Sequence, residues 1–391
     1  MPRWNNWSGR LRADPDHIAF VRSEADAAAT ITAASRRGLN VRTGGAFHSH
    51  APLLVTDGVL VDVSGLSGVI TTDIDRRRAW IWAGTPIYAL GRPLHDAGLA
   101  LHNQGDIDRQ ALAGAIGTGT HGTGSSLASL SAAVTGARIV LASGDVVECS
   151  ANSEPDLWEV ARLHLGAAGI VTRVELALRD AYRLREQGWS EPFDALLPKI
   201  PALAAENRHF EFFWFPHNDA AVAKTINETD EPAEYPLAEE GSRCAWSYEV
   251  LPNAREQRHT EMEYSIPADQ GLECLSAIRE LIRSRFRDVH WPVEYRHLAK
   301  DDVWLSTAYG RATVTISVHQ DVDLDEAPYF QACEEVFRSF DGRPHWGKVH
   351  YLQPNVLAAI HPRWQDWWRV RDAFDPEGRF LNDYLSAWRP R

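Results

Sequence analysis

The chain has 391 residues, 44% hydrophobic and 24% charged, enough for two or three domains around a large core. Its net charge of −13 excludes a nucleic-acid polymer as partner, since that needs clustered Lys and Arg. Cys149, Cys244, Cys274 and Cys333 are too widely spaced for a zinc site or a redox pair, and no run reaches the ~18 apolar residues of a membrane span. The N-terminus has no apolar signal core, so the expectation is a cytoplasmic protein, with a monomer as the default state. Fifteen tryptophans fit either a large core or sugar-stacking walls.

Residues 23–37 read as a helix capped by Ser23. Leu39–Arg42 reads as a short strand that enters Val-Arg-Thr-Gly-Gly-Ala-Phe-His-Ser, residues 41–49. Adjacent Gly44 and Gly45 allow a turn whose N–H groups can cradle a phosphate, and His48 follows as a nucleophilic imidazole. An ordinary glycine turn remains the alternative. Strands are expected at 59–63 and 79–83 and a helix over 87–97. Gly114, Gly117, Gly119, Gly122 and Gly124 then fall within twelve residues, interleaved with threonines. So much permissive backbone implies either a flexible loop or close approach to a ligand. Strands at 137–141, 146–149 and 170–178, with a helix at 156–163, complete an alternating first unit.

A second unit follows. Phe210–Phe215 is a strong strand, and Asp219 to about Arg243 reads as an acidic surface excursion. Strands are expected at 260–266, 292–298 and 312–319, and helices at 271–285 and 329–340, giving a sheet with helices on one face. Within 312–319, Val314, Ile316 and Val318 share one face, and Thr313, Thr315, Ser317 and His319 the other. A wholly polar face is either solvated or lines a pocket. Glu294 and Arg296 project together, as a surface ion pair or as a functional one. Lys348 is a solvated charge or a group set against an anionic ligand.

Taken together, Gly44-Gly45 with His48-Ser49, Gly117-Thr-Gly-Thr-His-Gly-Thr-Gly, Glu294-x-Arg296 and His345-Trp-Gly-Lys348 resemble the aldonolactone and alditol oxidase branch of the vanillyl-alcohol oxidase flavoproteins. The resemblance implies an α+β fold: a two-subdomain FAD-binding domain over 1–180, a substrate-binding cap over 181–344, and a segment, 345–391, returning to the flavin. It implies FAD, attached through His48, although this chain has Gly-Gly-Ala-Phe-His-Ser where relatives often have Gly-Gly-Gly-His-Ser, and His50 is a nearby alternative. It assigns FAD contacts to Thr43, Gly44, Gly45, Ala46, Phe47, His48, Ser49, Gly105, Asp106, Gly114, Thr118, Gly119, Thr120, His121 and Ile170. It assigns substrate and catalysis to Glu294, Arg296, His319 and Lys348, with Asp106 as a further substrate contact. In that family the Arg and Lys activate the substrate hydroxyl and support negative charge on the reduced flavin. Asp106 and His319 replace the serine and threonine common in alditol oxidases and resemble the lactone-oxidising relatives. Gly105 matches a position that gates oxygen, where a small residue accompanies oxidases. The implied reaction is oxidation of an alcohol on a polyhydroxy small molecule, a 1,4-aldonolactone first, with hydride passing to flavin N5 and molecular oxygen reduced to peroxide. A nucleoside 5′-hydroxyl or an alditol is the alternative substrate, and a non-oxygen acceptor the alternative electron sink.

Overall fold

The computed structural model describes residues 3–390. Strand β1 (His17–Phe20), helix α1 (Glu24–Arg36), β2 (Val41–Gly44) and β3 (Val59–Asp62) form a small parallel sheet in the order β1-β3-β2. Ser23 accepts the Asp26 N–H at 3.0 Å and so caps α1. Ala27, Ile31 and Ala34, at helical spacing, bury against Val41, Val59 and Val61. Parallel strands need such a crossover, and the sheet is correspondingly apolar.

Next come β4 (Val69–Asp73), β5 (Arg78–Trp82), α2 (Leu112–Thr118), β6 (Val134–Val140), β7 (Val146–Ser150), α3 (Pro155–Arg162) and β8 (Ile170–Ala177). The five strands make an antiparallel sheet ordered β7-β6-β8-β5-β4. One local expectation needs correction. Residues 87–97 are not one helix but a 3-10 turn, Ile87–Ala89, and a short helix, Gly91–Asp96. The glycine-rich stretch is not mainly loop: its first half is α2, with Leu112, Ala115 and Ile116 buried, and it ends where Gly119 turns left-handed at φ +80°.

The largest sheet has eight antiparallel strands: β9 (Arg183–Pro192), β10 (His209–Phe215), β11 (Ala220–Thr229), β12 (Cys244–Trp246), β13 (His259–Pro267), β14 (Val293–Leu298), β15 (Thr313–Asp321) and β16 (Arg343–Pro344). Their order is β12-β9-β11-β10-β14-β15-β13-β16. Here the acidic excursion is corrected: β11 lies inside this sheet, between β9 and β10. Its sequence, Ala-Ala-Val-Ala-Lys-Thr-Ile-Asn-Glu-Thr, hides it, because Lys224 is a buried partner of Glu211 at 3.1 Å rather than a surface charge. Strand β9, polar and glycine-containing, also gives no alternating signal.

Strand alternation divides the sheet's two faces. Phe210, Phe212, Trp214, Tyr295, Val314, Ile316, Val318, Met262 and Tyr264 pack under helices α4 (Gly271–Arg285) and α5 (Ala327–Ser339). Phe212 stacks on Tyr295 at 5.1 Å. The opposite face carries Glu211, Glu294, Arg296, Ser317, His319, Glu261 and Glu263, all buried. One rung across that face reads Val222, Phe213, Glu294, Ser317, Glu263. No helix among the described residues is long and apolar enough to cross a membrane.

Candidate active site

Two cavities meet at Lys348, which lines both. The first is a cleft walled by Thr43, Gly44, Gly45, Ala46, Phe47, His48 and Ser49 on one side and by Gly114, Thr118 and Thr120 on the other. A Cβ on Gly45 would lie 2.3 Å from the Ala111 Cβ, so only glycine lets these two walls meet. Phe47 occupies the left-handed region at φ +59°, a strain of about 1–3 kcal/mol for a non-glycine residue. Its ring packs edge-on against Trp4 at 5.5 Å, and its carbonyl accepts the Trp7 N–H at 2.9 Å. The additional residue of the motif is thereby absorbed, and His48 still faces the cleft. The buried Thr43 Oγ1 and Gln110 Oε1 line the same cleft without a partner among the described residues, as expected where a polar ligand supplies one. A long dinucleotide with a pyrophosphate fits this combination of bare backbone and waiting hydroxyls.

His48 stacks on Trp7 at 5.5 Å, and burial, then the Lys348 charge, lowers its pKa to about 4. It is a neutral imidazole at pH 7. His50 does not line the cleft; it is buried against His259, ring centres 5.7 Å apart. Ile170 does not line the cleft either. Strand alternation turns it into the core with Val140 and Phe380, leaving its neighbours Gly169 and Val171 at the wall. Gly119 serves as the α2 terminus, and His121 is buried with Nε2 2.7 Å from Glu263. Gly105 lines neither cavity; a Cβ there would meet the His121 carbonyl at 3.2 Å. Asp106 lines the second cavity and accepts from Arg255 at 3.0 Å.

That second cavity, about 780 Å³, has the polar face of the eight-stranded sheet as its floor. Arg296 donates to Glu294 at 2.6 Å and lies 3.5 Å from Glu263. An exposed pair of this kind would be worth ~0–1 kcal/mol, but this one is buried, and breaking it would strand a charge. Two carboxylates thus share one guanidinium. Glu263 keeps the charge, because His121, His345 and Arg296 outweigh its burial and hold it well below the ordinary carboxylate range. Glu294 keeps the proton: burial, with repulsion from Asp106, Glu211 and Glu261 against the pull of Arg296, raises it to about 8. His319 donates from Nδ1 to the Pro292 carbonyl at 2.8 Å, which leaves Nε2 as the acceptor, 3.8 Å from Glu261. Burial lowers His319 to about 4, so it is neutral at pH 7. Lys348 bonds to Glu261. Burial alone would raise Glu261, but Lys348, His259 and His319 hold it well below its usual value. The polar face of β15 is therefore buried, with His319 at the pocket wall, and not a solvated surface.

Glu294, Arg296, His319, Lys348 and Asp106 all line this one cavity, as the sequence predicts. Sequence reasoning missed Glu261 and Glu263. Both lie on β13, whose alternation His259, Glu261, Glu263, Ser265 mirrors that of β15 and was available as a signal. It also missed the counter-charges Lys224, Glu211 and Arg255, which no motif marks.

The model for the D-arabinono-1,4-lactone oxidase family matches residues 174–246 and 237–388, and an FAD binding domain model matches 15–150. The L-gulono-1,4-lactone dehydrogenase of Mycobacterium tuberculosis is 36% identical, covering 98% of each chain. The alditol oxidase of a Streptomyces species is 28% identical over 97% of each, and the L-gulonolactone oxidase of Scyliorhinus torazame is 25% identical over 98% of this chain and 97% of its own. Among solved structures, cholesterol oxidase from B. sterolicum superposes with a TM-score of 0.87 at 16% identity, covering 99% of this chain and 96% of that one. That likeness shows the fold. The cleft, the matched motifs and the near full-length relatives agree: this FAD protein belongs to the aldonolactone oxidase branch of the vanillyl-alcohol oxidase family.

Proposed function

We propose that this protein oxidises an alcohol of a sugar 1,4-lactone, with oxygen as electron acceptor and hydrogen peroxide as second product. The observation that carries the reading is the position of Lys348, where the FAD cleft opens onto the cluster of Glu294, Arg296, Glu261 and His319. In this reading residues 1–180 hold FAD, 181–344 cap the substrate, and 345–391 return Lys348 to the junction. FAD is joined to His48, the neutral imidazole of the cleft, rather than to His50.

Bound FAD supplies the two-electron acceptor for the hydride leaving the carbinol carbon. The chain's own residues manage the proton and the charge. His319 Nε2, held as an acceptor by its Nδ1 bond to Pro292, takes the hydroxyl proton as the carbonyl forms. Arg296 and Lys348 are fixed cations aimed at the oxygen and at the charge that develops beside it, an arrangement that lowers a barrier without reorganisation. Protonated Glu294 donates to a neighbouring hydroxyl, and Asp106, held ionised by Arg255, accepts from another. The resemblance of Gly105 to a position that gates oxygen supports oxygen as acceptor. The dehydrogenase relative favours a second reading, the same oxidation with electrons passed to a non-oxygen acceptor. The names of the relatives concern lactones and alditols; the nucleoside alternative has no counterpart among them.

The test is anaerobic bleaching of the flavin by aldonolactones and alditols, followed by readmission of air and a peroxide assay. Rapid bleaching by lactones with peroxide on reoxidation is the expected result. Bleaching without reoxidation by oxygen selects the second reading, and no bleaching by either class overturns both.

A further inference from the structure

The floor of the pocket changes character one strand away from the catalytic cluster. On the shared rung Glu294 is followed by Phe213 and then Val222. These lie one and two strand spacings away, roughly 5 and 10 Å. Phe215 projects from the same face as Phe213, roughly 7 Å along the strand. Phe213 and Phe215 are only partly buried, and Val222 is 45% exposed although it sits within a cavity wall. The next rung, Lys224, Glu211 and Arg296, is wholly charged. The Arg255 guanidinium, bonded to Asp106, stands 5.4 Å from the Phe213 ring centre.

A bare five-membered lactone on Glu294, Arg296 and His319 spans about one strand spacing and leaves this apolar shelf wet. The shelf is continuous with the cluster through main-chain pairing. Whatever covers it is therefore attached to, or directly abuts, the molecule being oxidised. An aliphatic chain would gain nothing from the flanking charges. A flat ring with heteroatoms gains both, by stacking on Phe213 and by bonding to the Lys224–Glu211 rung and Arg255.

We infer that Phe213, Phe215 and Val222 form a second subsite for a planar aromatic or heteroaromatic ring carried by the sugar, as in an aryl glycoside or a nucleoside. The inference rests on the inner cluster being a sugar-alcohol site, as in the proposed function, and replaces the lactone of that reading by a sugar whose anomeric carbon bears the ring. Stacking of a flat ring on an aromatic side chain is strong enough to change affinity by about tenfold or more.

The experiment uses the flavin-loaded enzyme and three probes: D-ribono-1,4-lactone and methyl β-D-ribofuranoside, which lack the ring, and adenosine, which carries it. Anaerobic flavin reduction gives a Kd and a limiting rate for each. The expected result is an adenosine Kd at least about tenfold below that of the methyl riboside. That ratio falls towards one in Phe213→Ala and in Val222→Asp, the latter at a half-exposed position that tolerates a polar side chain. If the lactone or methyl riboside bleaches the flavin and the wild-type ratio is already near one, the subsite is overturned while the sugar-alcohol reading stands. If no probe bleaches the flavin, that reading falls and this inference with it. The wild-type comparison decides the matter even if a variant fails to fold.

Discussion

In the FAD cleft the chain offers backbone and small side chains mainly from two stretches that are each local in sequence, Thr43–Ser49 and Gln110–Thr120, with His164, Leu165, Gly166 and Gly347 among the residues that complete the wall. In the pocket beneath the large sheet it offers charged side chains from β10, β11, β13, β14 and β15, joined by Lys348 from the tail. Glycines and short turns carry a phosphate-binding surface within a dozen residues, because N–H groups are present at every position and only the φ,ψ path must be permitted. Charges buried together need partners, and partners come from whichever strands lie next to one another. The two cavities should therefore fail differently when altered. The first should lose its cofactor, and the second should keep it and lose rate or proton control.

The largest effect should come from closing the cofactor wall. Gly45→Val places atoms where the Ala111 Cβ already sits, 2.3 Å from the first of them. It should yield folded protein with flavin occupancy reduced at least about tenfold, read from the ratio of flavin to protein absorbance. Full occupancy would mean that the walls can part and that the two cavities do not differ in this way.

Lys348→Met belongs to the second cavity. Removing one fixed cation from a developing charge costs about 10²–10³ in rate. Stopped-flow reduction should slow by that factor with flavin content and substrate Kd much less affected. Equal loss in Kd and rate would reassign Lys348 to ground-state binding. His48→Ala sharpens the boundary between the cavities: acid-denatured wild type should keep its flavin on the polypeptide, and the variant should release it. Flavin retained by the variant would break the His48 assignment.

A smaller effect should appear in the pH profile. Glu294 is raised to about 8, so it is protonated below that pH and ionised above it. Reduction should weaken as pH rises through about 8, because the donor to the substrate is lost and a negative charge appears beside it. Glu294→Gln keeps a neutral donor and should flatten that limb. His319, lowered to about 4, should set an acid limb only near that value. The subtlest change is Gly105→Ala, whose new Cβ meets the His121 carbonyl at 3.2 Å and the Thr120 methyl at 3.5 Å. Reoxidation by oxygen should slow while anaerobic reduction is retained; unchanged reoxidation removes Gly105 as support for the oxidase reading.

Much of the site was legible from single segments. The alternation of Thr313, Thr315, Ser317 and His319 against Val314, Ile316 and Val318 identified a two-faced strand, and the structure turns the polar face inward. Glu294 and Arg296 were legible as a pair but not as a buried one, because burial depends on Glu211 from the adjoining strand and Glu263 from two strands away. Strand β11 was not legible: its lysine and short apolar residues look like surface until Glu211 stands opposite Lys224. Ile170 was placed one residue off the cleft wall, a parity that strand pairing sets.

By itself the sequence determined the glycine turns, the histidine beside them and the alternating strands, since each depends on φ,ψ freedom or on a period of two within one segment, and the resemblance of those motifs to a known family implied the family and its cofactor. Tertiary structure alone decided which charges meet, that Glu294 holds a proton while Glu263 and Glu261 do not, and that an apolar shelf adjoins the cluster. Those outcomes depend on the register of eight strands drawn from residues 183–344, and on the low-dielectric burial that register creates.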